Sequence, residues 1–215
     1  MKIFQVLHSF VPHTMAGTEI YSYQLSKELL KKNEVFVFFR VNNPKIKEYS
    51  LIHDNYEGLE TCAINHTFRL CRSFKDTYRN DSIDREFGKY LDRVRPDIVH
   101  IHHLLFLSHG LVNEIKQRKI PVLYTLHDYW LMCYRGQLLK RDFSVCHNSS
   151  IIECAGCLEY LLSIRKYSLP LYALLRRRIP LILLEPLKKI YLSLATPRSS
   201  TLSTVILNSH AVKLR

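Results

Sequence analysis

The sequence predicts an α/β fold, a Rossmann-like doubly wound parallel sheet. Short apolar runs recur at residues 2–9 (KIFQVLHS), 34–40 (EVFVFFR), 97–102 (DIVHIH) and 121–126 (PVLYTL). Segments with helical spacing separate them. Strands that are apolar throughout, rather than alternating, are buried on both faces, as in parallel sheets. A chain of 215 residues, 47% hydrophobic and 23% charged, is also long enough to bury such a core without disulfides.

In chain order, residues 2–9 make the first buried strand. Pro12 and Gly17 mark the loop that follows. Thr18 is placed to cap a helix over 19–32, on which Tyr21, Leu25 and Leu29 recur at four-residue spacing. Residues 34–40 then complete a strand–helix–strand unit. The pattern weakens over 42–82, where one further strand is read at 58–64 (GLETCAI). Residues 82–94 set Ile83, Phe87, Tyr90, Leu91 and Val94 on one helical face, and Pro96 and Asp97 end that helix. A strand at 97–102, a helix at 108–119 and a strand at 121–126 continue the alternation. Residues 127–157 are a long loop rich in His, Cys, Asp and aromatic side chains. Residues 158–198 read as a basic, Leu-rich helical segment interrupted by Pro170, Pro180 and Pro186, and 203–207 (STVIL) as a last strand.

Charge is distributed unevenly. Lys and Arg number 31 against 19 Asp and Glu, a net of +12. Residues 1–100 carry 15 basic and 13 acidic side chains, whereas 158–215 carry 10 basic and only 2 acidic. No nucleic-acid module or aromatic stacking array accompanies the excess, which argues against a nucleic-acid partner. An anionic membrane surface under residues 158–198 is one reading, and a solvated helix face is the other. The N-terminus lacks the long apolar core of a signal peptide, and no stretch reaches the roughly 18 apolar residues of a spanning helix. The expectation is therefore a cytoplasmic protein with reduced thiols, peripheral on the inner face of the membrane if the basic segment docks there.

Four groups of residues carry chemistry. Ala16-Gly17-Thr18-Glu19 form a small-residue turn at a helix start, where backbone N–H groups meet anions; the turn is not G-x-G-x-x-G. His100, His102 and His103 end a strand, the first two on one face and the third on the other; they read as core or rim histidines before metal ligands. His127 lies just past a strand's carboxyl end, where open parallel sheets bind ligands, and a histidine there suits a sugar hydroxyl or proton exchange. Asp128 is positioned to orient it or an amine, with Tyr129 and Trp130 anchoring the loop. Cys133, Cys146, Cys154 and Cys157 follow the pattern C-x12-C-x7-C-x2-C. A tetrahedral structural zinc is one reading of these, which would order the long loop; four reduced thiols is the other.

Taken in order, the opening strand, the AGTE loop, EIYSYQLSKELLKKNEVFVFF, PDIVHIHHLLFLSHGL, IPVLYTLHDYWLMCYRGQLL with its spaced cysteines, and TVILNSHAVKLR resemble the N-terminal, acceptor-side domain of glycosyltransferase family 4. That resemblance covers nearly the whole chain. It implies one half of a GT-B fold, in which two Rossmann-like domains face each other across a cleft, with acceptor on one side and nucleotide-sugar donor on the other. It implies that Gly17 lies in the loop facing the donor phosphates and acceptor, and that His127 contacts the transferred sugar. Thr18, Glu19 and Asp128 are secondary substrate-binding candidates. The implied activity is a hexosyl transfer with retained configuration, onto a saccharide or lipid-linked acceptor in cell-surface polysaccharide synthesis. It needs no catalytic metal, so zinc at the cysteines would be structural. Two departures stand out. Ala16 occupies the first of two positions that are usually glycine, and the donor domain with its Glu-x7-Glu element is expected to be absent, as in a fragment or a split enzyme. The rival expectation is a non-catalytic, zinc-stapled module that docks to a membrane or partner.

Overall fold

A computed structural model of the chain describes residues 1–157, except 74, 134, 141–143, 148, 149, 151, 152, 155 and 156. The basic segment 158–198 and the strand expected at 203–207 lie outside the described residues. Residues 1–127 form one compact unit, and the chain from Asp128 onward belongs to a second.

The first unit is a six-stranded sheet. Its elements are β1 (Lys2–Val6), α1 (Gly17–Leu30), β2 (Glu34–Val41), β3 (Leu51–Tyr56), β4 (Leu59–Asn65), α2 (Asp81–Val94), β5 (Ile98–Ile101), α3 (Leu111–Gln117) and β6 (Val122–Tyr124). The strand order is β3-β4-β2-β1-β5-β6. All pairs are parallel except β3 with β4. From β1 the chain moves outward through β2 to β4, then crosses back to β5 and β6 on the other side. Strand order therefore reverses between β1 and β5, which is where doubly wound sheets open a ligand crevice at their carboxyl ends.

Both faces of the sheet are covered. Val35, Val37 and Phe39 of β2 share a buried cluster with Tyr23, Leu29 and Leu30 of α1. The alternate residues turn the other way, so Phe38 meets Phe87 of α2 edge-on at 5.0 Å and Phe4 meets Tyr90 at 5.4 Å. The start of α2 is set by Asn80, whose Oδ1 accepts from the backbone N–H groups of Ser82 and Ile83. A cap of this kind contributes about 1 kcal/mol.

The structure corrects three sequence expectations. Thr18 does not cap α1, because the helix begins one residue earlier, at Gly17, behind Ala16, which makes no side-chain cap bond. Of the stripe predicted from Tyr21, Leu25 and Leu29, Leu29 packs against the buried cluster but is itself only partly buried, and Tyr21 is exposed. The fully buried side chains of α1 are Glu19, Ser22 and Ser26, small or polar groups that let the helix approach the sheet closely; the Ser22 hydroxyl is satisfied by Thr18 O at 2.7 Å. Finally, β3 was hidden in the polar stretch before the expected strand. Its sequence LIHDNY leaves three consecutive residues exposed, so it has no apolar run to recognise. It pairs with β4 through a two-residue turn in which Glu57 and Gly58 both have positive φ, 51° and 89°, the backbone a tight hairpin requires. Among the described residues no helix is long and apolar enough to cross a membrane.

Candidate active site at the strand carboxyl ends

Four chain segments bring polar side chains to the reversal of strand order. Gln5 is on β1 and His8 two residues beyond it. Glu19 is in the first turn of α1, His102 and His103 follow β5, and His127 follows β6. The sheet ladder sets their register: Val6 pairs with Ile101 and Ile101 with Tyr124, and the His102 N–H donates to Val6 O at 2.8 Å.

His102 is the centre of this group. Its side chain is fully buried, with Nε2 2.6 Å from Gln5 Oε1 and Nδ1 3.1 Å from His127 Nε2. His100 lies alongside, ring to ring at 4.1 Å, and pairs its Nε2 with Thr125 Oγ1 at 2.7 Å. Burial, and secondarily the charges of His100 and His127, push the pKa of His102 down to about 3. His102 is thus neutral near pH 7 and has one ring N–H. With a carbonyl oxygen opposite Nε2, the proton sits there, and Nδ1 must accept. His127 therefore donates from Nε2, and its Nδ1 becomes the accepting nitrogen when the ring is neutral. Tyr21 packs edge-on against the His127 ring at 5.0 Å and against His102 at 5.9 Å. This explains its 46% exposure: it faces the site and not the core.

The second pair is His8 and Glu19. Glu19 is fully buried, and His8 Nε2 lies 3.0 Å from its Oε1. Neither carboxylate oxygen makes an aligned hydrogen bond; Glu19 stands in the first turn of α1, whose positive end favours a carboxylate. His103 stacks edge-on with His8 at 4.8 Å. Gly17 opens α1 with nothing within 4 Å of where a Cβ would stand, and Ala16 leaves the first-turn N–H groups without a side-chain acceptor. Such a helix start is suited to a phosphate.

The structure thus brings Gly17, Thr18, Glu19 and His127 into the first unit, with Glu19 and His127 in the buried polar group. Asp128 belongs to the second unit, where its Oδ1 accepts from Trp130 N at 2.8 Å in a local turn. Sequence reasoning missed Gln5 and His8 as members of the group. A glutamine inside the apolar run KIFQV was the available signal, since a buried polar side chain on a central strand needs a partner.

All six cysteines are thiols. Cys133, Cys146, Cys154 and Cys157 fall in the second unit. There Leu139 and Val145 form an antiparallel bridge, and Cys146 N donates to Leu138 O at 2.7 Å. Burial raises the pKa of Cys154, and Cys146, Cys133 and Cys157 raise it further, so each of these three lies within electrostatic reach of Cys154. Among the described residues, no group of three or more His, Cys, Asp or Glu side chains is arranged to hold a metal ion.

Comparison with known proteins decides the family. The model of Glycosyltransferase Family 4 matches residues 15–213. The chain belongs to glycosyltransferase family 4. An uncharacterized 42.6 kDa protein in the cps region of Klebsiella pneumoniae is 28% identical over 150 residues, covering 65% of this family 4 chain and 40% of that protein. Among solved structures, sucrose-phosphate synthase from Thermosynechococcus elongatus is similar with a TM-score of 0.43 and 18% identity, over 63% of this chain and 36% of that one. The E. coli trehalose-6-phosphate structure bound with UDP-2-fluoro glucose has a TM-score of 0.37 and 16% identity, over 60% and 33%. This family 4 chain therefore spans well under half the length of each of these relatives.

Proposed function

We propose that this chain is the acceptor-binding half of a retaining glycosyltransferase. In this reading a further domain holds a nucleotide-sugar, and a hexosyl group passes from it to a saccharide or lipid-linked acceptor during cell-surface polysaccharide synthesis. The observation that carries the proposal is the His102–His127 pair beside the uncapped start of α1, at the reversal of strand order. Family membership supplies the reaction class. The cps-region relative supports the polysaccharide setting.

The chemistry asked of this half is positioning and charge stabilisation. As the bond from the sugar to the nucleoside diphosphate breaks, negative charge grows on the phosphate, and the first-turn N–H groups at Gly17 and Thr18 would stabilise it. His127, oriented through its Nε2 by His102, would present Nδ1 to a hydroxyl of the transferred sugar. Resemblance to the family implies that the transfer needs no metal. The test is sugar transfer by this chain supplied with a matching donor-binding domain. Turnover of nucleotide-sugar only in the presence of both would support the reading, and its absence with every saccharide acceptor would overturn it.

The proposal extends to two features of the second unit. The basic segment 158–198 would hold the enzyme against an anionic membrane face, where a lipid-linked acceptor lies. Binding to anionic vesicles that disappears at high salt is the expected result; equal binding to neutral vesicles would refute it. The four cysteines would hold a structural zinc that draws their sulfurs together. Metal analysis of purified protein is expected to find one zinc per chain, removable by chelator with loss of order in the loop. Four titratable thiols and no metal would leave them as plain reduced cysteines.

A further inference from the structure

A cavity of about 730 Å³ opens beside His8, bounded by β2, β3, β4 and the loop after β1. Its walls combine apolar surface from Phe39, Ile52 and Tyr56 with polar groups from His8, His13 and Arg40. Apolar surface with a few convergent polar groups is the usual composition of a small-molecule site.

Arg40 is held in an unusual way. It is the next-to-last residue of β2, and its Nε donates to His66 O at 2.8 Å. Its guanidinium lies over the Phe68 ring at 4.9 Å and over the Phe106 ring at 5.2 Å, and these two rings meet edge-on at 5.7 Å. Both phenylalanines have left-handed backbone, with φ of 64° and 62°. Bulky side chains rarely adopt that conformation, and such residues cluster at ligand clamps. The nearest carboxylate is already engaged: Glu48 takes His66 Nδ1 and Thr67 N on Oε1, and Thr67 Oγ1 and Arg69 Nε on Oε2. Among the described residues, neither Nη1 nor Nη2 of Arg40 meets a hydrogen-bond acceptor. The acidic side chain that lines the cavity, Asp54, stands on edge strand β3, where its Oδ1 accepts from Asn55 N.

A half-buried guanidinium clamped between two rings, with its outer nitrogens unspent, is a preorganised fork for an oxyanion. We infer that Arg40 anchors a negatively charged group on the acceptor, so that the substrate is a saccharide bearing a phosphoryl or carboxylate group rather than a neutral sugar. This rests on the acceptor-side reading above and adds the substrate class to it. The apolar floor takes the sugar ring and the fork takes the charge.

Calorimetric titration of the full chain with glucose 1-phosphate, glucuronate, glucose and inorganic phosphate tests the inference. At least one charged sugar is expected to bind about tenfold or more tighter than glucose; which of the two does so identifies the oxyanion. R40Q is expected to abolish that preference while leaving glucose affinity unchanged, and R40K, which keeps the charge and most of the stem, to restore part of it. Equal affinity for charged and neutral sugars overturns the inference alone, as does a charge preference that survives R40Q. Inorganic phosphate binding as tightly as the sugar phosphate overturns it too, because the saccharide then contributes nothing. If no saccharide binds, charged or neutral, the acceptor-side reading falls with it.

Discussion

Replacing His127 by alanine is expected to lower kcat/KM for sugar transfer by about 100-fold or more, the range seen when a positioned acid–base or hydrogen-bonding side chain is lost. The expectation follows from how the ring is held. His127 Nε2 is committed to His102 Nδ1 at 3.1 Å, and His102 is committed through Nε2 to Gln5. This chain makes the orientation of His127 independent of substrate, so the loss is expected in kcat more than in KM. Alanine at 127 also strips His102 Nδ1 of its donor, but His102, just past β5, keeps its backbone bond to Val6 O and Gln5 stays on β1, so the fold is expected to survive. The measurement is steady-state transfer with the donor-binding domain present, alongside circular dichroism of the variant. A correctly folded H127A with unchanged kcat/KM would remove His127 from the mechanism.

The second large effect is acid destabilisation. His102 has its pKa pushed down to about 3 by burial, and His100 is shifted in the same direction for the same reason. The ordinary value is 6.5. Between these limits the unfolded chain takes up a proton that the folded chain refuses, so stability is fully present above 6.5 and is lost as pH falls toward 3. His102 costs about 1.4 kcal/mol per pH unit in that window, or about 2 kcal/mol between pH 6.5 and 5, and His100 adds in the same direction. Asp84 opposes this over part of the range. Its burial raises its pKa to about 6 from 3.8, so the folded state holds that proton more tightly and gains from acid between those values. The histidines outnumber it and their window begins higher. The urea midpoint is therefore expected to fall from pH 7 to pH 5, and His102→Gln to flatten part of that slope. A midpoint that does not move between pH 7 and pH 5 would contradict the buried, neutral state of His102.

Much of the architecture was legible from periodicity. Apolar runs located β1, β2, β4 and β5, and the Ile83, Phe87, Tyr90, Leu91 and Val94 stripe located α2, because strands and helices covered by neighbours must carry apolar residues at the matching period. The run at 121–126 located β6 as well, but the burial expected of it is corrected: β6 is an edge strand, with Val122 40% and Leu123 50% exposed. Where burial does not demand apolar side chains, the signal vanished. Edge strand β3 is solvated on one side, and the inner stripe of α1 uses serines and a glutamate. The position of His127 past a strand end was readable, since ligand sites in open α/β sheets gather there.

Strand order was what local pattern left open. Gln5 and His102 are 97 positions apart and His102 and His127 are 25; they meet only because β5 pairs with β1 and β6 with β5. Arg40 comes from the last residues of β2, Phe68 from the loop after β4 and Phe106 from the loop after β5, so no spacing announces the fork. Helical and strand periods are properties of neighbouring residues, and they suffice to specify the layers of this protein. The depressed histidine, the buried Glu19–His8 pair and the clamped guanidinium are properties of long-range pairing and desolvation, which exist only once the sheet is assembled.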